Sequence, residues 1–285
     1  MAIVPRPDRE FEFTDADFER VRTLIYSHAG IALAPIKRDM VYSRLVRRLR
    51  ALNLPSFAAY LSQLEKGESE EWQTFVNSLT TNLTYFFREP HHFEVLAHHM
   101  KECQRRPYRI WCSAASTGEE PYSLAITACE VFKTMTPPVE IIASDIDTNV
   151  LDTANKGIYG ADRVERLSAE RLQQYFLKGT GVRDGYVRVR PELRSLITYR
   201  PINLLNPRYD LEGKFDALFC RNVMIYFDKP TQKSILAKFK PLMQDDGYLF
   251  AGHSESFLHA ADLFHSLGKT VYEHAERPRR PRGVI

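Results

Sequence analysis

Residues 109–123 read RIWCSAASTGEEPYS, and residues 141–147 read IIASDID. The first is an apolar run that enters a turn and then a helix start, and the second is an apolar run that closes on acid. Together they constrain the fold more than any other part of the chain. A parallel sheet holds a nucleotide-like ligand at its carboxyl edge in this way, with one strand leading to a helix N-terminus and its neighbour ending on a carboxylate. Gly118 is the one glycine of the first segment, so the spacing that lets a backbone approach a pyrophosphate is missing. A ligand with ribose and adenine but no pyrophosphate fits, and S-adenosylmethionine is the candidate.

The surrounding pattern agrees with such a sheet. Strand-like runs at 108–111, 139–144, 215–220 and 248–251 alternate with helical segments near 121–132, 148–155 and 230–242, which predicts an α/β domain. Between the second and third runs, residues 173–200 contain YFLKGTGVRDGYVRVR, with Gly179, Gly181 and Gly185 between two strand-like arms. That predicts an inserted antiparallel hairpin or small sheet. Residues 10–84 instead show helical spacing. Thr14 can cap a helix carrying Phe18, Val21, Leu24 and Ile25, with Gly30 near its end. A second helix spans about 37–52 with Val41, Leu45 and Leu49. A third carries Phe57, Tyr60, Leu61 and Leu64 and stops at Gly67. A fourth, with Ser69 as its cap, carries Trp72, Phe75, Val76 and Leu79. The expected organisation is a tail at 1–10, a small all-α domain at 11–84, and a linker with a helix at 85–107. A sheet domain follows at 108–276, with its insertion near 173–200, and then a basic tail at 277–285 expected to be disordered.

No apolar run approaches the length of a membrane span, so no membrane insertion is expected. Two prolines and an acid stand where a signal peptide needs an apolar core, which points to the cytoplasm. Cys103, Cys112, Cys129 and Cys220 are scattered without a C-x-x-C pair, so reduced thiols are expected rather than a disulfide or zinc framework. A net charge of +3 is too small to argue for nucleic acid. A monomer is expected.

Several side chains can carry chemistry. Glu120 can face the crevice above the sheet and pair with the cationic amine of a methionine moiety; alternatively, Glu119 or Glu120 only complements a helix dipole. Asp145 directly follows its strand and can accept both hydroxyls of a ribose, or cap the next helix. Asp147 is a rival for the ribose or the cap of a helix starting at Thr148. In residues 80–93, TTNLTYFFREPHHF, Asn82 and Thr84 precede an aromatic run and Arg88. A guanidinium there can orient a carboxylate by paired hydrogen bonds, or serve as a surface linker arginine. In CRNVMIYFD, Arg221 and Asn222 fall at the carboxyl end of the strand they leave, and Tyr226 just beyond. Asn203 and Leu204, in PINLLN, can reach an adenine edge and face. His91, His92, His98 and His99 fall within nine residues, but adjacent histidines point in different directions and no acidic or cysteine partner completes a set, so no metal site is expected. His253 is either a general base or a loop histidine held locally. Finally, Lys37, Arg38, Arg44, Arg47, Arg48 and Arg50 stand against Asp39 alone, opposite an apolar face. Such a stripe meets an acidic partner or is a solvated face.

NLTYFFREPHHF, AASTGEEPYS, ASDID, PINLL and CRNVMIYFD, in that order, resemble the CheR-type chemotaxis protein methyltransferases over about residues 11–274. The resemblance implies a Rossmann-like S-adenosylmethionine-dependent methyltransferase sheet with an inserted antiparallel β-subdomain, preceded by a small all-α domain. It implies methyl transfer to glutamate side chains on cytoplasmic chemoreceptor helices, with S-adenosylhomocysteine as product. It implies Asn82, Thr84, Arg88, Glu120, Asp145, Asn203, Leu204, Arg221 and Asn222 as cofactor-site residues, and Arg88 and Tyr226 nearest the methyl. The basic second helix resembles a receptor-docking surface. The GTGVRDG stretch resembles the hairpin of members that also bind a tethering peptide from a receptor C-terminus. Two rival readings are a nucleic-acid methyltransferase, which predicts steeply salt-dependent binding, and a non-catalytic adaptor that senses the cofactor.

Overall fold

A computed structural model describes residues 9–67 and 69–277. The expected Ser69 cap and nearly all of the two terminal tails lie outside the described residues and side chains. The chain separates into two compact units between Thr81 and Asn82.

The first unit is helical, as its periodicity predicts. Helix α1 (Asp15–Ala29) starts at a capping box in which Thr14 and Asp17 exchange hydrogen bonds, and it ends on Gly30 at φ 71°. Helices α2 (Arg38–Ala51), α3 (Phe57–Lys66, capped by Ser56) and α4 (Ser69–Leu79) follow. Val21, Ile25, Val41, Leu45, Leu49, Phe57, Leu61 and Phe75 are buried among them.

The basic stripe on α2 differs from expectation. Arg38 pairs with Asp15 and with the Phe13 carbonyl, and Arg50 pairs with Glu10. Arg48 grips Glu71 through two hydrogen bonds of 3.0 and 2.7 Å, while the Tyr60 hydroxyl donates to the same carboxylate. Arg44 donates to the carbonyls of Thr80 and Ser78. Lys37, just before α2, and Arg47 are exposed and have no ion pair among the described residues. The acids that balance this helix sit before it, on α1 and on α4, so a charge count along α2 alone misses them.

The second unit begins with α5 (His91–Glu102), β1 (Tyr108–Cys112), α6 (Glu119–Phe132), β2 (Val139–Asp145) and α7 (Thr148–Lys156). The chain continues through β3 (Ile158–Gly160), α8 (Ala161–Val164), α9 (Ala169–Tyr175), β4 (Phe176–Lys178), β5 (Tyr186–Val189), α10 (Pro191–Arg194) and β6 (Ile197–Pro201). It closes with β7 (Phe215–Cys220), α11 (Lys229–Phe239), β8 (Met243–Ala251), β9 (Phe264–Gly268) and β10 (Val271–His274). The main sheet has the order β6-β2-β1-β7-β8-β10-β9. Its first five strands are parallel, and β10 runs antiparallel to both neighbours. Alternate residues bury on opposite faces. Ile110, Ile141 and Phe219 join a core with α5 and α6, while Trp111, Ile142 and Leu218 join one with α11. Strand β1 lies between β2 and β7, so successive connections leave it in opposite directions. The carboxyl ends of β1 and β7 therefore flank a topological switch point, where open α/β sheets bind ligands.

Three boundaries depart from the sequence reading. The insertion is a three-stranded antiparallel sheet, β3-β5-β4, that already begins at Ile158. The run 197–201, expected inside the insertion, is β6 and pairs in parallel with β2 from Ile141↔Ile197 to Asp145↔Pro201. Parallel partners lie far apart in sequence and leave no hairpin signature. Residues 85–107 are not a linker: Phe86, Phe93, Leu96 and Met100 are buried in the sheet unit's own core.

Candidate functional site

The turn after β1 is strapped to both neighbouring strands. The Ser113 amide donates to the Phe219 carbonyl at 2.8 Å, and the Ala115 amide to the Ser144 carbonyl at 2.8 Å. Gly118 then caps α6 at φ 100°, and a Cβ there would sit 2.7 Å from the Tyr159 hydroxyl and 2.8 Å from Ala154 Cβ. Only glycine fits this close approach. The two following acids diverge. Glu119 is fully buried, accepts from Thr117 Oγ1 at 2.6 Å and pairs with Arg163 of α8. Glu120 turns toward β7. Its Oε2 lies 2.9 Å from Arg221 Nη1, and its Oε1 accepts from the Cys112 thiol at 3.2 Å. Burial pushes the Glu120 carboxyl up, and the Arg221 guanidinium only partly offsets this. Both acids stand in the first turn of α6, where a carboxylate also complements the helix dipole.

Asp145 ends β2 and is nearly buried. Its Oδ2 accepts from the Ser116 amide at 2.9 Å and its Oδ1 from the Asp147 amide at 3.0 Å. Each oxygen keeps a further lone pair. Burial raises its carboxyl to about 6, against those backbone donors. Asp147 takes the alternative role open to it in the sequence. Its Oδ1 caps α7 through the Asn149 and Val150 amides, and its Oδ2 accepts from Asn82 Nδ2 at 2.9 Å. The Asn82 carbonyl in turn accepts from Ser116 Oγ at 3.2 Å. Asn82 thus ties its segment to the ends of β1 and β2. Thr84 is half-buried, and its carbonyl accepts from Arg163 at 3.3 Å.

Arg88 sits between two residues with left-handed backbone, Phe87 at φ 54° and Glu89 at φ 57°. Its Nη1 donates to the Leu83 carbonyl at 3.0 Å, and its guanidinium lies 5.7 Å from the Tyr85 ring centroid. The Arg88 carbonyl accepts from Arg221. Arg221 is almost fully buried at the end of β7, and neither its Nε nor its Nη1 has a well-angled acceptor. Asn222 follows at φ 59°, and a Cβ on Gly252 would come within 2.3 Å of its Nδ2. Tyr226 lies half-buried in the 3-10 turn that opens the next segment. Asn203 folds an Asx turn onto the Leu205 amide at 2.9 Å. The Leu204 side chain packs into the α11-side core, and its carbonyl accepts from Tyr209 and Lys238.

The sequence reading missed four residues. Glu89, next to Arg88, has its side chain 10% exposed. Its Oε1 accepts from the His253 amide and Nδ1, each at 3.2 Å, and its Oε2 lies 3.6 Å from Arg221. Burial pushes its carboxyl up, but Arg221 and the His253 donors outweigh this and hold it below its ordinary value. Glu255 is buried and accepts from the amides of Asn222, Met224 and Gly252, which pins the loop after β7. Gln232 donates to the Met224 and Phe227 carbonyls across the Tyr226 turn. Arg163, from the insertion, links Thr84 to Glu119. The available signals were position alone: an acid directly after Arg88, and another four residues beyond β8. His253 is an exposed loop residue held by Glu89 and Ser254. Glu89, His91 and His92 bring ligand atoms within 4.8 Å of one another. His92 is fully buried and bonded through Nε2 to Lys269 and Thr270, and burial lowers it to about 3.

A carboxylate in the first turn of α6, another at the end of β2 and a buried guanidinium at the end of β7 suit a ribose and an amino-acid moiety on one ligand. A family model described as CheR methyltransferase, SAM binding domain, matches residues 82–273, and one described as CheR methyltransferase, all-alpha domain, matches residues 16–80. The sheet unit is thus that of an α/β S-adenosylmethionine-dependent methyltransferase. The chain belongs to the CheR methyltransferases. It is 54% identical to the chemotaxis protein methyltransferase of Salmonella typhimurium LT2 over 260 residues, covering 91% of this chain and 90% of that one. The Escherichia coli K12 protein of the same name is also 54% identical, over 91% of each chain. Chemotaxis protein methyltransferase 2 of Pseudomonas aeruginosa PAO1 is 53% identical over 270 residues, 94% of this chain and 96% of that one. Among the described residues, no helix is long and apolar enough to cross a membrane.

Proposed function

We propose that this chain methylates glutamate side chains on the cytoplasmic helices of chemoreceptors, giving glutamate 5-O-methyl esters. The observation that carries the proposal is the pairing of a CheR cofactor-binding unit with Arg88 fixed beside the Arg221–Glu120 pair. In this reading Asp145 accepts the ribose hydroxyls and Glu120 receives the amine. Asn82, Thr84, Asn203, Leu204, Arg221 and Asn222 complete the cofactor contacts, with Leu204 contributing its backbone because its side chain lies in the core. S-adenosylmethionine supplies an electrophilic methyl on a sulfonium.

The nucleophile is the substrate's own carboxylate, ionised at neutral pH because its ordinary pKa is about 4.3. No general base is needed, in keeping with His253 being held by Glu89 and Ser254. The protein's work is alignment and exclusion of water, which together can supply about 7–11 kcal/mol at best. Arg88 already spends one donor on the Leu83 carbonyl, so it can offer the incoming carboxylate a limited contact. A tight bidentate grip would stabilise the ground state and slow transfer. Tyr226 donates a second hydrogen bond.

Lys37, just before α2, and Arg47 on it are exposed without an ion pair among the described residues and are free to meet acidic receptor helices. Arg38, Arg44, Arg48 and Arg50 mainly hold their own unit together. The β3-β5-β4 sheet has two edge strands, β3 and β4, and exposes Leu177 and Tyr186, which suits strand addition by a receptor's C-terminal peptide. The proposed setting is a cytoplasmic monomer. The test is incubation with labelled S-adenosylmethionine and receptor-bearing membranes, followed by alkali. Methyl esters release volatile label, whereas N-methyl products retain it. Label only in nucleic acid, or none released, overturns the proposal.

A further inference from the structure

The internal pairing of the α2 arginines leaves open what on the sheet unit itself reads an acidic substrate. Around the Arg88 segment, most cations are also paired. Arg163 is bound to Glu119, and Arg171 to Glu130 at 2.7 Å. Arg166, in the insertion between α8 and α9, is exposed and has no acidic partner among the described residues. Its guanidinium is instead held 4.7 Å from the centroid of the Tyr85 ring, the ring that Arg88 approaches at 5.7 Å. Stacking on an aromatic leaves the in-plane N–H donors of a guanidinium facing outward, in fixed orientation, for a carboxylate. Tyr85 is itself exposed, as is Leu83 two residues before it, and they offer apolar contact.

Resting on the function proposed above, we infer that Arg166 is a specificity-determining residue that receives a second acidic side chain of the substrate helix. The spacing follows from the shared ring. The guanidinium carbons of Arg88 and Arg166 are at most about 10 Å apart, and a helix rises about 5.4 Å per turn. If Arg88 faces the glutamate that is methylated, Arg166 meets a residue one or two turns away, at three, four or seven positions.

Initial methylation rates with receptor-bearing membranes test this in the full-length wild type and in Arg166→Ala, Arg166→Lys and Arg166→Glu. The expected result is a rise of about fivefold in KM for receptor in the alanine variant, the size of an exposed ion pair. The rise should be larger in the glutamate variant and smaller in the lysine variant. The rate at saturating receptor and the affinity for S-adenosylhomocysteine should stay unchanged. Receptors with the acids one and two turns from the methylated glutamate changed to Gln should raise the wild-type KM by the same factor and add nothing to Arg166→Ala. An unchanged KM in Arg166→Ala and Arg166→Glu, or fully additive losses, overturns the inference while leaving the proposed function in place. Absence of base-labile methyl transfer by the wild type overturns the function itself.

Discussion

Asp145 offers a pH test of the cofactor site that can be worked through in numbers. Burial raises its carboxyl to about 6, while an unfolded aspartate titrates near 3.9. In the proposed complex, two ribose hydroxyls donate to it, so binding selects the ionised form and affinity is lost as pH falls through 6. A carboxyl at about 6 is roughly nine-tenths ionised at pH 7 and roughly one-tenth ionised at pH 5. Apparent affinity scales with the competent fraction, so S-adenosylhomocysteine should bind about tenfold more weakly at pH 5. Calorimetric titration across this range, repeated in buffers of different ionisation heat, gives both affinity and proton release. Asp145→Asn should weaken binding at pH 7 by roughly 10- to 100-fold, because hydrogen bonds to a charged acceptor are worth about 1.5–3 kcal/mol. It should also flatten the pH dependence. Glu120 is raised by burial too and titrates in the same direction, so it contributes to any slope left in the variant. Identical pH slopes in the wild type and in Asp145→Asn would refute ionised Asp145 as the ribose acceptor.

Three further outcomes are expected. Arg88→Ala should lower kcat for methyl transfer by roughly 100-fold and Tyr226→Phe by roughly tenfold, with thermal midpoints near wild type; unchanged single-turnover rates would remove both from the reaction. Arg48→Glu should destabilise the helical unit by about 2 kcal/mol or more, since it leaves Glu71 facing a like charge, whereas Arg47→Glu should cost little stability and raise KM for receptor. Equal denaturation midpoints for the two variants would show that the Arg48–Glu71 pair is not structural. Glu255→Gln places an amide against backbone donors that now meet a carboxylate, which should cost about 1–3 kcal/mol and slow transfer by loosening the Arg221–Tyr226 loop; wild-type stability and rate together would exclude that pinning role.

The comparison of sequence with structure separates along range of interaction. Thr14 and Asp17 were readable as a cap, Gly30 as a helix end, and Asp147 as the start of α7, because each acts within one helical turn. The alternation of strands and helices likewise announced the parallel sheet, and the inserted β-structure was visible from its glycines. The strand at 197–201 was misplaced because its partner is β2, some fifty residues earlier. Phe86 and Phe93 looked like part of a linker because aromatics in a short run do not reveal which core they enter. At the site, Arg88, Glu120, Asp145 and Arg221 were visible as motif residues, but Glu89, which faces Arg221, and Glu255, which pins the loop after β7, were not.

By itself the sequence determined the order of elements, the helical and sheet units, and a carboxyl edge suited to an adenosine-type cofactor. Those follow from periodicity, capping and turn chemistry, which are local. Only the tertiary structure decided which charges are already spoken for. Glu120 and Glu89 converge on Arg221 from distant parts of the chain. Glu10, Asp15 and Glu71 bind three of the arginines that looked free on α2. Arg166 comes to rest on Tyr85 without an acid. A Coulomb interaction depends on distance through space, and folding sets that distance independently of separation along the chain.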